Sequence, residues 1–321
     1  MAIGIVYPNI KIITMRIFLV SFLLFSFFTG KTNFHTDSLK QAPVTETESS
    51  LREYVEIPTW GNQFINIQSA RILPHKTWGF KVQHRFGTVS TDSSVIQDFL
   101  GLDLPTTMRL AFSFNLHKKF YVEIGRTNQS KTIDIEGKYL LLQQTTDYKI
   151  PVSVALYFNT SIRTAKFPSV ASNAVFKSDS TPFFYKPAHR LAYVSQLIIS
   201  SQLFERLTLQ VSPMFIYHNL ASAFHKNMTY VIGTALRYKV ATRTALLFEY
   251  ANKLNNHCFC FIHPLSFGVE FGTEGHVFQL FVSNASSINP SQVFTISGHD
   301  MTKGKFLIGF NLSRSFNYKK K

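Results

Sequence analysis

The sequence predicts an all-β chain: a closed antiparallel up-and-down transmembrane barrel of about twelve strands, with short turns at one end and long loops at the other. Three observations predict it. From Trp78 onward apolar and polar residues alternate with period two, segment after segment. The connections sort into long and short by turns. The chain also carries much aromatic and little charged residue for its length.

Composition comes first. Among 321 residues there are 32 Phe and 13 Tyr, while charged residues make up 16%, against about 25% in a typical soluble domain. A soluble globule with so many Phe needs a very large core, whereas a barrel can also place them on its lipid face. The formal net charge is +15. Nucleic acid is one reading of a basic chain, but no zinc finger, helix-turn-helix or RNP-type motif supports it, and a surface lying against lipid phosphates gives the same sign. No nucleic-acid partner and no cofactor is expected. Cys258 and Cys260 are too few for a disulfide framework.

Residues 1–30 read as a signal peptide. The apolar block Ile17 to Phe28 follows Lys11 and Arg16, has the length of a signal h-region and falls short of a spanning helix. Thr29 and Gly30 supply small residues for cleavage. Met15-Arg16 resembles a natural start, which makes 1–14 a candidate mis-annotated extension. A short membrane anchor is the competing reading. Residues 31–56 are rich in Thr, Ser and Glu and read as a flexible polar leader. Residues 57–321 are assigned to the barrel domain. No later run of about 18 apolar residues occurs, so any crossing must be made by strands.

The strands follow in order. Trp78, Phe80, Val82 and Phe86 alternate with Gly79, Lys81, Gln83 and Arg85. Met108, Leu110, Phe112, Phe114 and Leu116 alternate with Arg109, Ala111, Ser113 and Asn115. Segments 120–125, 133–139 and 152–158 repeat the habit, as do 189–199, 207–217, 229–238, 243–250, 264–272, 276–283 and 305–316. An even number of strands suits a bacterial barrel. The odd-numbered connections are long (87–105, 160–187, 218–228, 251–263, 284–304), apart from the short 128–131. The even-numbered ones are shorter (117–119, 141–150, 201–206, 239–242, 273–275). Tight periplasmic turns and long outer loops produce this sorting.

One face of these strands is Phe, Leu, Ile and Val. The other holds Lys81, Arg85, Arg109, Lys138, Arg190, Arg237 and Arg243, with Glu123, Asp134, Glu136, Glu249 and Glu270, all expected to face the lumen. Seven basic against five acidic residues describe a mixed interior. Such charges must pair or meet water. A filled or narrow lumen is favoured over an open polar pore, because twelve strands fall between filled small barrels and open porins.

Ordered motifs add a resemblance. His84-Arg85-Phe86-Gly87, Phe99-Leu100-Gly101-Leu102-Asp103, Ile124-Gly125-Arg126-Thr127, Gly275-His276-Val277-Phe278-Gln279-Leu280 and Gly309-Phe310-Asn311-Leu312-Ser313-Arg314 together resemble a family of β-barrel envelope proteins designated domain of unknown function 5777. The resemblance covers roughly residues 57–318. It implies an outer-membrane barrel and brings no activity, so no catalytic residue is carried over. Outer-membrane barrels commonly end on an aromatic insertion signal, whereas this chain adds the basic tail Lys319-Lys320-Lys321 after Phe316 and Tyr318.

Other sites are weaker. His257, Cys258, Cys260 and His263 put four metal-capable side chains into seven residues, but Cys-x-Cys is not the usual zinc spacing, and a loop with incidental cysteines is the plainer reading. His84, His218 and His276 lie at strand ends, where an aqueous rim accounts for them. No G-x-S-x-G or recognisable Ser-His-acid constellation accompanies them. Trp78, Tyr139, Tyr193, Tyr217 and Tyr238 are girdle candidates, or simply strand aromatics.

The leading expectation is a non-enzymatic outer-membrane barrel serving passage or binding of a small solute, or envelope structure. Its expected partners are outer-membrane lipid, lipopolysaccharide and, during insertion, the barrel-assembly machinery. An outer-membrane enzyme such as a lipid hydrolase, and a soluble secreted β-protein with a hydrophobic cavity, are the competing expectations.

Overall fold

A computed structural model describes residues 6–7, 53–55, 60–91, 94–171, 173–176, 180–221, 226–255, 261–273 and 275–318. All but residues 6–7 of the expected signal segment and most of the leader lie outside the described residues, as do His257, Cys258 and Cys260. No helix among the described residues is long and apolar enough to cross a membrane.

Twelve strands make the wall: β1 (Thr77–Arg85), β2 (Thr107–His117), β3 (Phe120–Thr127), β4 (Thr132–Leu142), β5 (Ser153–Arg163), β6 (Leu191–Phe204), β7 (Leu207–His218), β8 (Met228–Ala241), β9 (Thr244–Lys253), β10 (Leu265–Thr273), β11 (His276–Ser283) and β12 (Lys305–Asn317). Each pairs antiparallel with its neighbours in chain order. Closure comes from β12, which pairs with β11 on one side and β1 on the other. With no edge left, every wall strand has its main-chain groups paired, which hydrocarbon surroundings demand.

The period-two pattern predicts which way each side chain points, because successive Cβ atoms leave a strand on opposite faces. In β2, Met108, Leu110, Phe112, Phe114 and Leu116 are exposed, while Arg109, Ala111, Ser113 and Asn115 are buried. The same division runs round the wall. At the short-turn end, Trp78, Tyr139 and Tyr238 sit on the outer surface near the beginning of β1 and the ends of β4 and β8. At the other end, Tyr193 lies directly opposite Tyr217, joined by Tyr230 and Tyr250. Amphipathic aromatics at both ends of an apolar band are what two membrane interfaces favour.

Turns and loops segregate as the sequence predicts. Connections such as 205–206 and 242–243 close one end, and 86–106, 164–190 and 284–304 cover the other, with 128–131 the short exception. Loop 284–304 folds inward. Its one-turn helix Pro290–Val293 is capped by the Asn289 side chain, which accepts from the Ser291 N–H, and Ala285, Ile288, Val293 and Phe294 are buried. Val293 and Phe294 join Val194, Ile198, Met214 and Ile216 in an apolar cluster on the inner side of β6 and β7.

Candidate functional site

The interior of the barrel is occupied by the chain's own N-terminal segment. Residues 53–55 lie against the 143–152 turn, with Val55 N–H donating to Gln144 O at 2.9 Å and Thr146 N–H to Glu53 O at 3.0 Å. The segment therefore enters at the short-turn end. Residues 61–70 are all buried. They form a tight hairpin: Phe64 N–H donates to Ile67 O at 2.8 Å, Ser69 N–H to Asn62 O at 3.2 Å, and Gln63 pairs with Gln68. The chain then returns through Pro74 to the start of β1.

The wall grips this plug from most sides. Glu249 on β9 caps its tip, accepting from Asn66 N–H at 3.0 and 2.9 Å and from Ile67 N–H at 3.0 Å. Arg85 donates to Asn66 Oδ1 at 3.2 Å, and Asn311 Nδ2 donates to Ile65 O at 3.0 Å. Lys138 joins the two legs, its Nζ donating to Asn62 O at 2.6 Å and Arg71 O at 3.3 Å. Gln210 and Gln196 both donate to Gln68 O, and Gln279 to Gln63 O. Polar groups of a folded hairpin in a closed lumen need such partners, since each orphan costs about 1–3 kcal/mol.

A buried ion network continues the grip. Glu123 takes Lys81 and Arg109, each at 2.9 Å, and Arg109 also reaches Asp134. Glu136 accepts from the Tyr157 hydroxyl. Lys81 Nζ also donates to Gln63 Oε1 of the plug at 3.2 Å. Across the lumen Arg237 pairs with Glu270 at 2.9 Å and lies over the Trp60 ring at 4.3 Å. Inward-facing glycines leave room for the plug's large side chains. A Cβ on Gly272 would meet the Trp60 ring at 2.3 Å, one on Gly233 would meet Ile67 Cδ1 at 2.9 Å, and one on Gly268 would meet Ile65 Cδ1 at 3.1 Å.

Of the charges expected inside, Lys81, Arg85, Arg109, Lys138 and Arg237 are buried there with Glu123, Asp134, Glu136, Glu249 and Glu270. Two arginines are not. Arg190 sits in the turn before β6 at the long-loop end, donating to Arg163 O at 2.9 Å and Ala165 O at 2.6 Å. Arg243 is exposed in the 242–243 turn. Both stand just outside a strand end, where alternation no longer dictates direction. Without them the expected set holds five cations and five anions. Lys253 is an inward cation the sequence reading missed. It lies at the outer end of β9 under Phe261, its Nζ 4.5 Å from the ring centroid.

The plug divides the interior. On its short-turn side a cavity of about 360 Å³ is lined by Arg71, Leu73, His75, Lys118 and Gln143 among others. On its long-loop side lies one of about 260 Å³, beneath loops 164–190 and 284–304. The strand-end histidines separate. His84 faces outward and stacks on Phe310 at 5.2 Å, His218 bonds Ser291 O at 3.0 Å beside the upper cavity, and His276 begins β11 at the short-turn end. His84 thus belongs to the outer aromatic surface rather than an aqueous rim. Of the four metal candidates only His263 is described, and its Nδ1 accepts from Lys253 N–H at 3.2 Å. No group of three metal-capable side chains occurs among the described residues.

A family model described as "Membrane bound beta barrel domain (DUF5777)" matches residues 60–316, which takes in the plug as well as the wall. No curated protein matches the sequence. Solved structures similar to the chain include a KdgM porin in complex with disordered oligogalacturonate (9% identity, TM-score 0.46, covering 74% of this chain and 99% of that one). They also include a NanC porin (8%, 0.44, 73% and 98%) and the Acinetobacter baumannii outer membrane protein Omp33 (10%, 0.39, 75% and 98%).

Proposed function

The chain belongs to the DUF5777 family of membrane-bound β-barrel domains, and on that premise we propose that it works in the outer membrane as a non-enzymatic barrel that holds a small-solute route shut with its own N-terminal segment. The observation that carries this reading is the burial of all of residues 61–70 inside the wall, fastened by paired charges and main-chain hydrogen bonds. A lumen so filled passes nothing of solute size, and a cavity at the short-turn end is lined by Arg71, Ile72 and Leu73 of the plug's returning leg. The sorted connections give the orientation: tight turns toward the periplasm, long loops outward. The plug then opens from the periplasmic side, where residues 53–55 lie.

Breaking the closed state requires a stimulus that competes with Glu249 for the Asn66 and Ile67 N–H groups or draws on the leader. Planar-bilayer recording tests the reading. The intact chain gives a silent or rarely opening trace, and loosening the plug tip gives discrete conductance steps. Silence in the intact chain and in every loosened variant would instead assign the barrel a structural role in the envelope, the second reading, which the buried ion pairs of the interior favour.

A further inference from the structure

Lys81, Arg109 and Arg237 each stand in an ion pair with a wall carboxylate. Arg85, Lys138 and Glu249 are buried charges of the same wall, and none of them has an ion-pair partner among the described residues. All three hold the plug instead. The plug, from Trp60 to Ala70, carries no charged residue. At these points the wall offers full charges to neutral groups, where a charged group of opposite sign binds more strongly.

Asn66 at the plug tip bridges two of them. Its Oδ1 accepts from Arg85 Nη2 at 3.2 Å, and its Nδ2 donates to Glu249 Oε2 at 3.2 Å and to Ser266 Oγ at 3.0 Å. One carboxamide thus spans from a cation on β1 to an anion on β9. Neither charge is fully used. Arg85 Nη1 is taken by Asn311 Oδ1 at 2.9 Å, but the Nε–H is buried and has no acceptor among the described residues. The Nε–Nη2 edge of a guanidinium fits the two oxygens of a carboxylate side by side, and a single amide oxygen occupies half of it. Phe281 packs under the guanidinium, its ring centroid 4.2 Å from the Arg85 carbon, and fixes the plane of that fork. Glu249 collects the main-chain N–H groups of Asn66 and Ile67 and the Asn66 side-chain amide. These are three donors, as many as one ammonium carries.

We propose that Arg85 and Glu249 form the binding site for the solute whose route the plug closes, and that this solute is a small α-amino acid in its zwitterionic form. The proposal rests on the reading of residues 61–70 as a closure. With the plug withdrawn, the solute carboxylate takes the Nε–Nη2 edge of Arg85 and the α-ammonium takes the Glu249 carboxylate. Asn66 is the neutral stand-in that occupies both while the route is shut. An α-amino acid carries its two charges on one carbon, which suits two wall groups close enough to share one amide. A dicarboxylate or a diamine of the same size brings a like charge to one end, where juxtaposition is costly.

The test is planar-bilayer recording of the full chain carrying Asn66→Ala, alone and with Lys138→Met, which also frees the two legs of the plug. Both variants keep Arg85 and Glu249. Glycine, glycinamide and acetate are titrated against the potassium chloride current. Glycine carries both charges, glycinamide the ammonium alone and acetate the carboxylate alone. The expected result is saturable block by glycine at a concentration about tenfold or more below that of either single-charge probe, as loss of one charge-assisted contact gives. Arg85→Gln in the same background brings glycine to the level of glycinamide, and the three probes decide the matter in the unaltered site even where that change costs the fold. An open channel blocked equally by all three probes, or by none, overturns the proposal and leaves the closure standing. Silence in both plug variants overturns the closure, and the proposal with it.

Discussion

The Glu249 carboxylate accepts hydrogen bonds from the main-chain N–H groups of both Asn66 and Ile67, joining the middle of one wall strand to the tip of a hairpin 182 residues earlier in the chain. A carboxylate that neutralises the exposed amides of a tight turn acts as a clasp, and its side chain comes from the wall rather than from the plug.

Glu249→Ala leaves these amides without acceptors, at about 1–3 kcal/mol each. The wall itself keeps its ladder, so the barrel still forms. The expected outcome is a folded, heat-modifiable protein whose conductance in a planar bilayer rises from near silence to frequent discrete openings. Glu249→Gln, which retains one acceptor oxygen, falls between the two.

The wall glycine at Gly272 is a second handle on the plug. An added Cβ would lie 2.3 Å from the Trp60 ring, so Gly272→Ala displaces that ring from beside Arg237. Trp60 and Trp78 are the two tryptophans, and in a Trp78→Phe background Trp60 reports alone. Its emission shifts to the red in Gly272→Ala, while an alanine at Gly137, where the nearest atom stands 3.5 Å from the added Cβ, leaves it unchanged.

Removing one partner of the buried network costs more than removing both. Glu123→Gln strands Lys81 and part of Arg109, and a broken buried pair costs roughly 3–5 kcal/mol. Lys81→Met/Glu123→Gln leaves fewer orphaned charges and destabilises by less than the sum of the single changes. Denaturant unfolding from micelles measures the cycle.

Loop 164–190 carries a pH response. His189 packs against Phe176 and Phe183 with Lys186 beside it, and its pKa is lowered by burial first and by Lys186 second. A histidine with a depressed folded pKa favours the neutral form. Its packing is intact above the unfolded value of about 6.5 and is penalised progressively as pH falls from there toward the folded value. Proteolysis of the loop is therefore expected to accelerate between pH 7.5 and pH 5, on the order of the histidine range. His189→Gln flattens that dependence.

The wall was legible because hydrocarbon and lumen impose opposite demands on alternate residues, and a period of two survives in each strand from Thr77 to Asn317. The sorting of turns and loops to opposite ends came with it, from the contrast between connections such as 205–206 and 284–304. Arg190 and Arg243 escaped the rule because they stand in turns. The plug was not legible for a different reason. Gln63 to Gln68 has the mixed polarity of a short strand or a loop, and most of its wall partners lie more than 100 residues away in sequence, among them Gln196, Gln210, Glu249, Gln279 and Asn311. The trace it leaves is a deficit of volume. Gly233, Gly268 and Gly272 sit at inward positions beside Ile67, Ile65 and Trp60. The long-loop cavity was equally hidden, since Arg163, Phe167, Tyr185 and Gln292 come together only when two loops fold inward.

Amide hydrogen exchange on the intact chain in micelles tests the central claim most directly. Phe64, Asn66, Ile67 and Ser69 donate their N–H groups inside the lumen, and they are expected to be protected like wall residues such as Val194 and Leu247. Protected strands with freely exchanging amides at these four positions would contradict it, leaving a barrel whose interior is not filled by its own N-terminal segment.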